Sequence, residues 1–179
     1  MIMKKIVLLF LALLPVFVYA QKIDKSIIDD FTGSKVIYTS WETLNTGNFM
    51  DANNHMFFRF RYENNTIYFH LKWITRDILS VDKGAKIIFK FNNDSLCTLH
   101  SLSYTISERG GGSIGLSMSA LWGLDLIYVG DEMNSFLMDH FVTKFRIYTN
   151  SGYVDIDIKE GNAVKINKAY SLLEDEIKK

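Results

Sequence analysis

Six consecutive residues of the chain match a phosphate-binding fingerprint. Gly110 to Gly115 has the sequence GGGSIG, with the spacing G-x-G-x-x-G. That motif binds a pyrophosphate when a helix follows it and supplies oriented backbone amides. The next residues, Leu116 to Ala120, have the pattern of a strand or loop instead. We therefore interpret the segment as a flexible glycine hairpin and predict no nucleotide and no other cofactor.

The histidines do not form a metal-binding pattern. None of the four, His55, His70, His100 and His140, stands near Cys, Asp or Glu at the short spacings of zinc ligands. His70 shares a predicted strand face with Lys72, whose positive charge disfavours a metal ion and indicates a solvated surface position. The sequence therefore predicts no metal site.

Paired carboxylates and nucleophiles give equally little support for catalysis. Asp155 and Asp157 share one strand face, but calcium needs six or more oxygens and glycosidases need their two carboxyl groups on opposite sides of a cleft. No G-x-S-x-G elbow occurs, and Cys97 lies in an alternating strand pattern typical of a buried structural thiol. We expect a solvated outer face at the two aspartates and predict no catalytic residue.

Aromatic side chains are the one suggestive class, at 14% of the chain. Exposed rings can stack on sugars or anchor a protein partner. The rings considered are Trp41, Trp73, Trp122, Tyr104, Tyr128 and Tyr153. Trp122 and Tyr128 flank Gly123 and Asp125 in an irregular apolar stretch, which predicts that both are exposed. They are the predicted surface for a ligand or partner.

Alternating apolar and polar residues predict the elements that position these side chains. Met56, Phe58, Phe60 and Tyr62 would share one strand face, and after the turn 63–65 a second strand would run to Trp73. A second hairpin is predicted from strands 86–91 and 96–107, and a third from strands 142–149 and 153–159.

Two helices complete the prediction. One runs from Asp131 to about Phe141, with acidic residues at its start, and one from Asn162 to about Ile177. The second has an apolar stripe at helical spacing, made of Ala163, Ile166, Tyr170, Leu173 and Ile177. The predicted fold is mainly β, an antiparallel meander forming a sandwich or a barrel, with one short internal helix and a C-terminal amphipathic helix.

The N-terminus has the pattern of a cleavable signal peptide. Lys4 and Lys5 precede an apolar run from Ile6 to Val18, and Ala20 supplies the small residue at the cut. We expect residues 1–20 to be removed and residues 21–179 to form a single β-rich domain in the periplasm or outside the cell. The only cysteine, Cys97, lies far from the predicted new terminus, so a lipoprotein is not expected.

The charge balance does not favour a polyanionic partner. Without Lys4 and Lys5 the mature chain has 18 basic and 20 acidic residues, a net charge of −2. Nothing in this balance indicates binding to nucleic acid or to anionic membranes, and no apolar stretch of the mature chain reaches spanning length.

Four segments carry a family resemblance. They are residues 31–36 (FTGSKV), 39–42 (TSWE), 81–86 (VDKGAK) and 145–153 (FRIYTNSGY). These segments resemble an uncharacterised family of small exported β-rich proteins from Gram-negative gut anaerobes. The resemblance covers nearly the whole mature chain and implies its fold and export, and no catalytic signature comes with it.

Three functions remain open at this point. The first is a non-enzymatic module that binds a protein, a glycan or a small apolar ligand at strand edges or loops. The second is an envelope hydrolase, which predicts a concave pocket with two titratable groups of shifted pKa. The third is a structural subunit that adds an edge strand to another chain.

Overall fold

A computed structural model describes residues 21–48, 51–109, 121–130 and 133–179 of the chain. The predicted leader and the glycine motif lie outside the described residues. The strands are β1 (Ile23–Ile28), β2 (Lys35–Thr39), β3 (Glu42–Asn48), β4 (Asp51–Glu63), β5 (Thr66–Thr75), β6 (Ser80–Val81), β7 (Lys86–Phe91), β8 (Leu96–Ser101), β9 (Thr105–Ile106), β10 (Glu108–Arg109), β11 (Trp122–Val129), β12 (Val142–Thr149) and β13 (Gly152–Asp157). The helices are α1 (Met133–Leu137) and α2 (Glu160–Ile177).

Most of the strands belong to one antiparallel sheet. Its order is β1-β2-β4-β5-β11-β8-β7-β12-β13, with β3 beside β4 and β10 beside β11, while β6 and β9 form a separate pair. This path is open, since β1 and β13 stand at its two ends. The predicted antiparallel, mainly β fold is thus confirmed, in its sandwich-like form and not as a closed barrel.

All three predicted hairpins are present. The β4–β5 turn consists of Asn64 and Asn65, whose φ angles of 50° and 59° suit the tight two-residue turns that asparagine favours. The second strand of the middle hairpin, predicted to reach Ser107, ends at Ser101. Beyond Ser101 the N–H of Leu102 still bonds to the carbonyl of Ile127 on β11, 2.9 Å away, before the chain reaches β9.

Aromatic rings fill the core where the two halves of the sheet face each other. The ring of Phe69 on β5 lies 5.1 Å from that of Phe89 on β7 and 5.9 Å from that of Phe145 on β12. Its other ring contacts are Phe60 at 5.7 Å and Phe58 at 6.0 Å, both on β4. Strands distant in the sheet therefore bury their rings against one another.

Helix α2 packs on this core with the predicted stripe. Its buried residues are Ala163, Ile166, Ala169, Tyr170 and Leu173, and Ile177 packs partly buried against them. The ring of Tyr170 lies 5.5 Å from that of Phe60. Because the helix joins β2 and β4 to β12, it covers the open side between the two halves of the sheet.

The internal helix is shorter than predicted. It ends at Leu137 and does not reach Phe141, whose N–H bonds to the side chain of Asn92 and whose carbonyl accepts from the N–H of Asn92. These two bonds tie Phe141 to the end of β7, which is incompatible with a continuing helix. Asp131 and Glu132 lie outside the described residues. Within the described ranges, neither helix has the length and hydropathy needed to cross a bilayer.

Replacing Phe69 with alanine tests whether the aromatic cluster holds the two halves together. We expect Phe69→Ala to lower the free energy of unfolding by about 3–5 kcal/mol, through lost burial and the cavity left behind. Phe31→Ala is the matched control, because that ring is 99% exposed, and it should change stability by less than about 0.5 kcal/mol. Urea unfolding measures both, and equal effects would show that the core lies elsewhere.

Candidate functional site

Strand alternation separates the inner face of β4 and β5 from an outer face of different chemistry. On the outer face the cross-strand neighbours are Arg59 with His70 and Phe57 with Lys72. Arg61 also lies on this face, opposite Tyr38 of β2. We call the following six side chains the Trp41 face: Tyr38, Trp41, Arg59, Arg61, His70 and Lys72.

Trp41 lies over the centre of this face. It follows β2 and precedes β3, two strands that both pair with β4. The Arg59 guanidinium carbon is 4.5 Å from the centroid of the Trp41 ring and 4.4 Å from that of Tyr38. The Lys72 ammonium is 4.6 Å from the Trp41 centroid. Each such cation–π contact contributes about 0.5–2 kcal/mol, so the cations and rings hold one another in place.

His70 is buried below Trp41, and the predicted solvated position is wrong. Only 6% of His70 is exposed, because the Trp41 ring stacks on it with centroids 6.2 Å apart. Its Nδ1 lies 3.3 Å from Nε of Arg59. Arginine can only donate, so Nδ1 is the acceptor and the proton of the neutral ring resides on Nε2.

The surroundings keep His70 uncharged. Burial lowers the pKa of His70 to about 3, and the positive charges of Arg59, Arg61 and Lys72 act in the same direction. Burial also lowers the pKa of Arg59, although an arginine side chain stays protonated in proteins. The face thus combines fixed cations with a neutral imidazole.

Unpaired donors are concentrated on this outer face. Six buried side-chain polar atoms have no hydrogen-bond partner within the described part of the chain: Gln21 Oε1, His55 Nε2, Arg61 Nε, His70 Nε2, Tyr128 OH and Asn167 Oδ1. Three of these atoms belong to outer-face residues of β4 and β5, and at Arg61 and His70 the atom is a donor. A buried polar group without a partner costs about 1–3 kcal/mol. An oxygen-bearing group at this face would remove that cost.

The two residues predicted as the ligand surface lie elsewhere. The predicted irregular stretch is the regular strand β11, paired with both β5 and β8. The prediction that Tyr128 is exposed is therefore wrong, since the side chain is fully buried in the core and burial raises the pKa of its hydroxyl. Trp122 is half-buried at the start of β11 on the inner side of the sheet, with the Arg109 guanidinium 5.8 Å from its ring. Neither joins the Trp41 face.

The other sequence candidates occupy separate places. Trp73 is buried in the core, whereas Tyr104 and Tyr153 are each 58% exposed. Asp155 forms a bidentate pair with Arg146 at 2.7 Å, and Asp157 pairs with Lys144 at 3.1 Å, both on the outer face of β12 and β13. Cys97 is buried among core residues. Among the described residues, no three of the His, Cys, Asp and Glu side chains converge as a metal site would require.

A separate apolar groove runs between β12 and α2. It encloses about 300 Å³, and its lining includes Phe141, Val142, Ile158 and Ala163. Glu160 is the one charged residue among its described lining. The apolar lining of this groove suits a small apolar ligand.

The Trp41 face was not predicted from the sequence, although one pair of its residues could have been predicted. Counting outward from the turn at Asn64 and Asn65 pairs Arg59 with His70 directly. The contribution of Trp41 could not be counted in this way. It depends on how the break between β2 and β3, which pair with the same edge of β4, places residue 41 beside Arg59, and that is a tertiary feature.

The buried, neutral state of His70 predicts a specific dependence of stability on pH. The unfolded chain takes up a proton on this ring near the ordinary pKa of 6.5, whereas the folded protein does so only near 3. The contribution is therefore complete above pH 6.5 and is lost as pH falls from there toward 3. Between pH 7 and pH 5 we expect His70 alone to cost about 2 kcal/mol of folding free energy.

Chemical denaturation of wild type and His70→Gln at both pH values measures this cost. The variant should lose about 2 kcal/mol less on acidification than the wild type. His100→Gln, at an exposed position on β8, serves as the control and should behave as the wild type does. Identical acid sensitivity in all three proteins would contradict a buried, neutral His70.

Comparisons with protein-family models, with curated proteins and with solved structures gave no match. The function of the Trp41 face must therefore be argued from its own geometry.

Proposed function

We propose that this chain is an exported, non-enzymatic binding module and that the Trp41 face is its ligand surface. One observation carries the proposal: the guanidinium of Arg59 is held between the rings of Tyr38 and Trp41, above a buried histidine. The outer face of an antiparallel sheet is ordinarily polar and solvated. Here it is built from half-buried rings and cations instead.

The arrangement suits binding in two ways. Aromatic residues and arginine supply most of the energy at interaction surfaces. These side chains are also already ordered in the free protein. Less binding free energy is therefore lost in immobilising them when a ligand binds. Arg59 and Lys72 are already positioned on Trp41, and they stand on strands of the sheet. Sites on strands are held more precisely than sites on mobile loops.

The hydrolase alternative receives less support from the described residues. It needs a general base whose pKa lies near the working pH. The histidine of the Trp41 face has a pKa of about 3 among three cations, too low for that role near neutral pH. It also lies on a sheet face and pairs with an arginine, not with an acid.

The edge-strand alternative has one specific location in its favour. Strand β13 pairs with β12 alone among the described strands, its register shows no bulge, and it contains neither lysine nor proline. Strand β1, at the opposite end, carries Lys25 and a bulge between Ile23 and Lys25, two features that discourage strand addition. A partner strand would therefore add to β13.

Export belongs to the same proposal. The leader pattern at residues 1–20 and the resemblance to small exported β-rich proteins support a module that works in the periplasm or outside the cell. Expression in a Gram-negative host should yield a mature protein that begins at Gln21, as intact-mass measurement can determine. Ala20→Phe should retain the leader, because the enzyme that cuts requires a small residue there. An uncut wild-type chain would contradict the export proposal.

A thermal-shift screen of the mature chain tests the binding proposal. Glycans, fatty acids and divalent metals are the three classes to try, because a ligand that binds only the folded state stabilises it, by about 2.7 kcal/mol at 100 times its Kd. We expect a dose-dependent shift from one class. The shift should disappear in Trp41→Ala and persist in Trp122→Ala, which removes a tryptophan from the opposite side of the sheet.

A shift that persists in Trp41→Ala and disappears in Trp122→Ala would contradict the proposal that the Trp41 face is the ligand surface. A fatty acid that shifts the wild type and Trp41→Ala equally would also contradict that proposal. It would indicate binding in the groove between β12 and α2 instead. No shift from any class would contradict a small-ligand function.

A further inference from the structure

We propose that the Trp41 face contains a subsite for one oxyanion of its ligand, a carboxylate, sulfate or phosphate group, formed by the side chains of Arg59, His70 and Lys72. This inference rests on the proposed function, since it names the chemistry of the ligand that the same face would bind.

The first support is the unused donor of His70. Only 6% of this residue is exposed, and its Nδ1 accepts a hydrogen bond from Nε of Arg59. The N–H at Nε2 has no partner among the described residues. Nε2 is the ring nitrogen farther from the backbone, and it is buried on the outer face of the sheet. An oxygen acceptor placed there would satisfy a donor that otherwise costs about 1–3 kcal/mol.

The second support is the placement of the cations. The guanidinium of Arg59 and the ammonium of Lys72 both lie within 4.6 Å of the same ring centroid, that of Trp41. Arg59 is also bonded to the imidazole itself. Charge-assisted hydrogen bonds to oxyanions are about twice as strong as neutral ones, and arginine is suited to the planar forms. Two cations fixed on the Trp41 ring and the neutral donor of the stacked His70 ring thus lie on one small part of the outer face.

The third support is the local electric field. The groups that face His70 are Arg59 and Arg61 from β4 and Lys72 from its own strand, and all three disfavour a charge on the ring. Nearby carboxylates are present: Glu63 pairs with Arg61, Asp125 of β11 lies opposite Lys72, and Asp24 of β1 acts on Arg59. None of them raises the pKa of His70. The field at the imidazole is therefore positive, as an anion site requires.

This arrangement gives oxyanion binding a characteristic dependence on pH. A bound anion offsets the positive field and raises the pKa of His70 above its value of about 3 in the free protein. Binding then becomes tighter as pH falls toward the raised value, because proton uptake accompanies it. Sulfate stays fully ionised over this range, so it does not contribute a titration of its own. A neutral ligand would lack this coupling.

Isothermal titration calorimetry with sodium sulfate, at an ionic strength held constant with sodium chloride, tests the subsite. We expect saturable binding that strengthens as pH is lowered and weakens at least tenfold in His70→Leu, which removes the Nε2 donor, and in Lys72→Met. Arg146→Met is the matched control. Arg146 also stacks on a ring, that of Tyr153 at 4.1 Å, but it is paired with Asp155 on the far half of the sheet. This variant should bind as the wild type does.

The remaining outcomes separate the two proposals. Parallel titrations with acetate and phosphate identify which oxyanion fits best, whereas equal effects of sulfate and chloride would overturn the subsite. A neutral ligand that binds, is lost in Trp41→Ala and is unaffected by His70→Leu and Lys72→Met would also overturn it while leaving the binding function intact. If Trp41→Ala leaves every ligand unaffected, both proposals are wrong.

Discussion

The register of the β4–β5 hairpin is the constraint on which the rest of this structure depends. The turn at Asn64 and Asn65 pairs Glu63 with Thr66, and every later pair follows from it. The same register sends Phe58, Phe60 and Phe69 inward and Arg59 and His70 outward. A slip by one residue would exchange the two faces, placing cations in the core. Core and candidate site are thus two consequences of one turn.

The two faces of the hairpin have opposite effects on stability. The inner face buries rings from both halves of the sheet and is closed by α2. The outer face buries an imidazole, crowds three cations around it and leaves donors without partners. Such features reduce the free energy of folding, and natural proteins concentrate them at functional sites. This contrast is the physical reason for proposing the outer face as the binding surface.

The fold was largely accessible from the sequence, because it depends on local patterns. Alternation from Met56 to Trp73, the asparagine turn and the stripe from Ala163 to Ile177 each specify one element without reference to the others. Elements that depend on distant contacts were predicted less well. The internal helix stops early because Asn92, in the turn after the distant strand β7, bonds to Phe141. Tyr128 is buried because pairing of β11 with β5 places it opposite Phe69 on the inner face of the sheet.

The candidate site was hidden for the same reason. Net charge gave no sign of it, because an overall charge of −2 does not exclude a local group of cations, and Trp41 contacts residues far away in the sequence. The geometry between Arg59, His70 and Trp41 is the centre of the account. Nitrogen-15 NMR of the histidine side chains tests it most directly, since it distinguishes the two neutral tautomers and the charged ring. We predict that His70 carries its proton on Nε2 and stays neutral from pH 8 down to pH 5; a proton on Nδ1, or a charged ring at pH 6, would contradict the account.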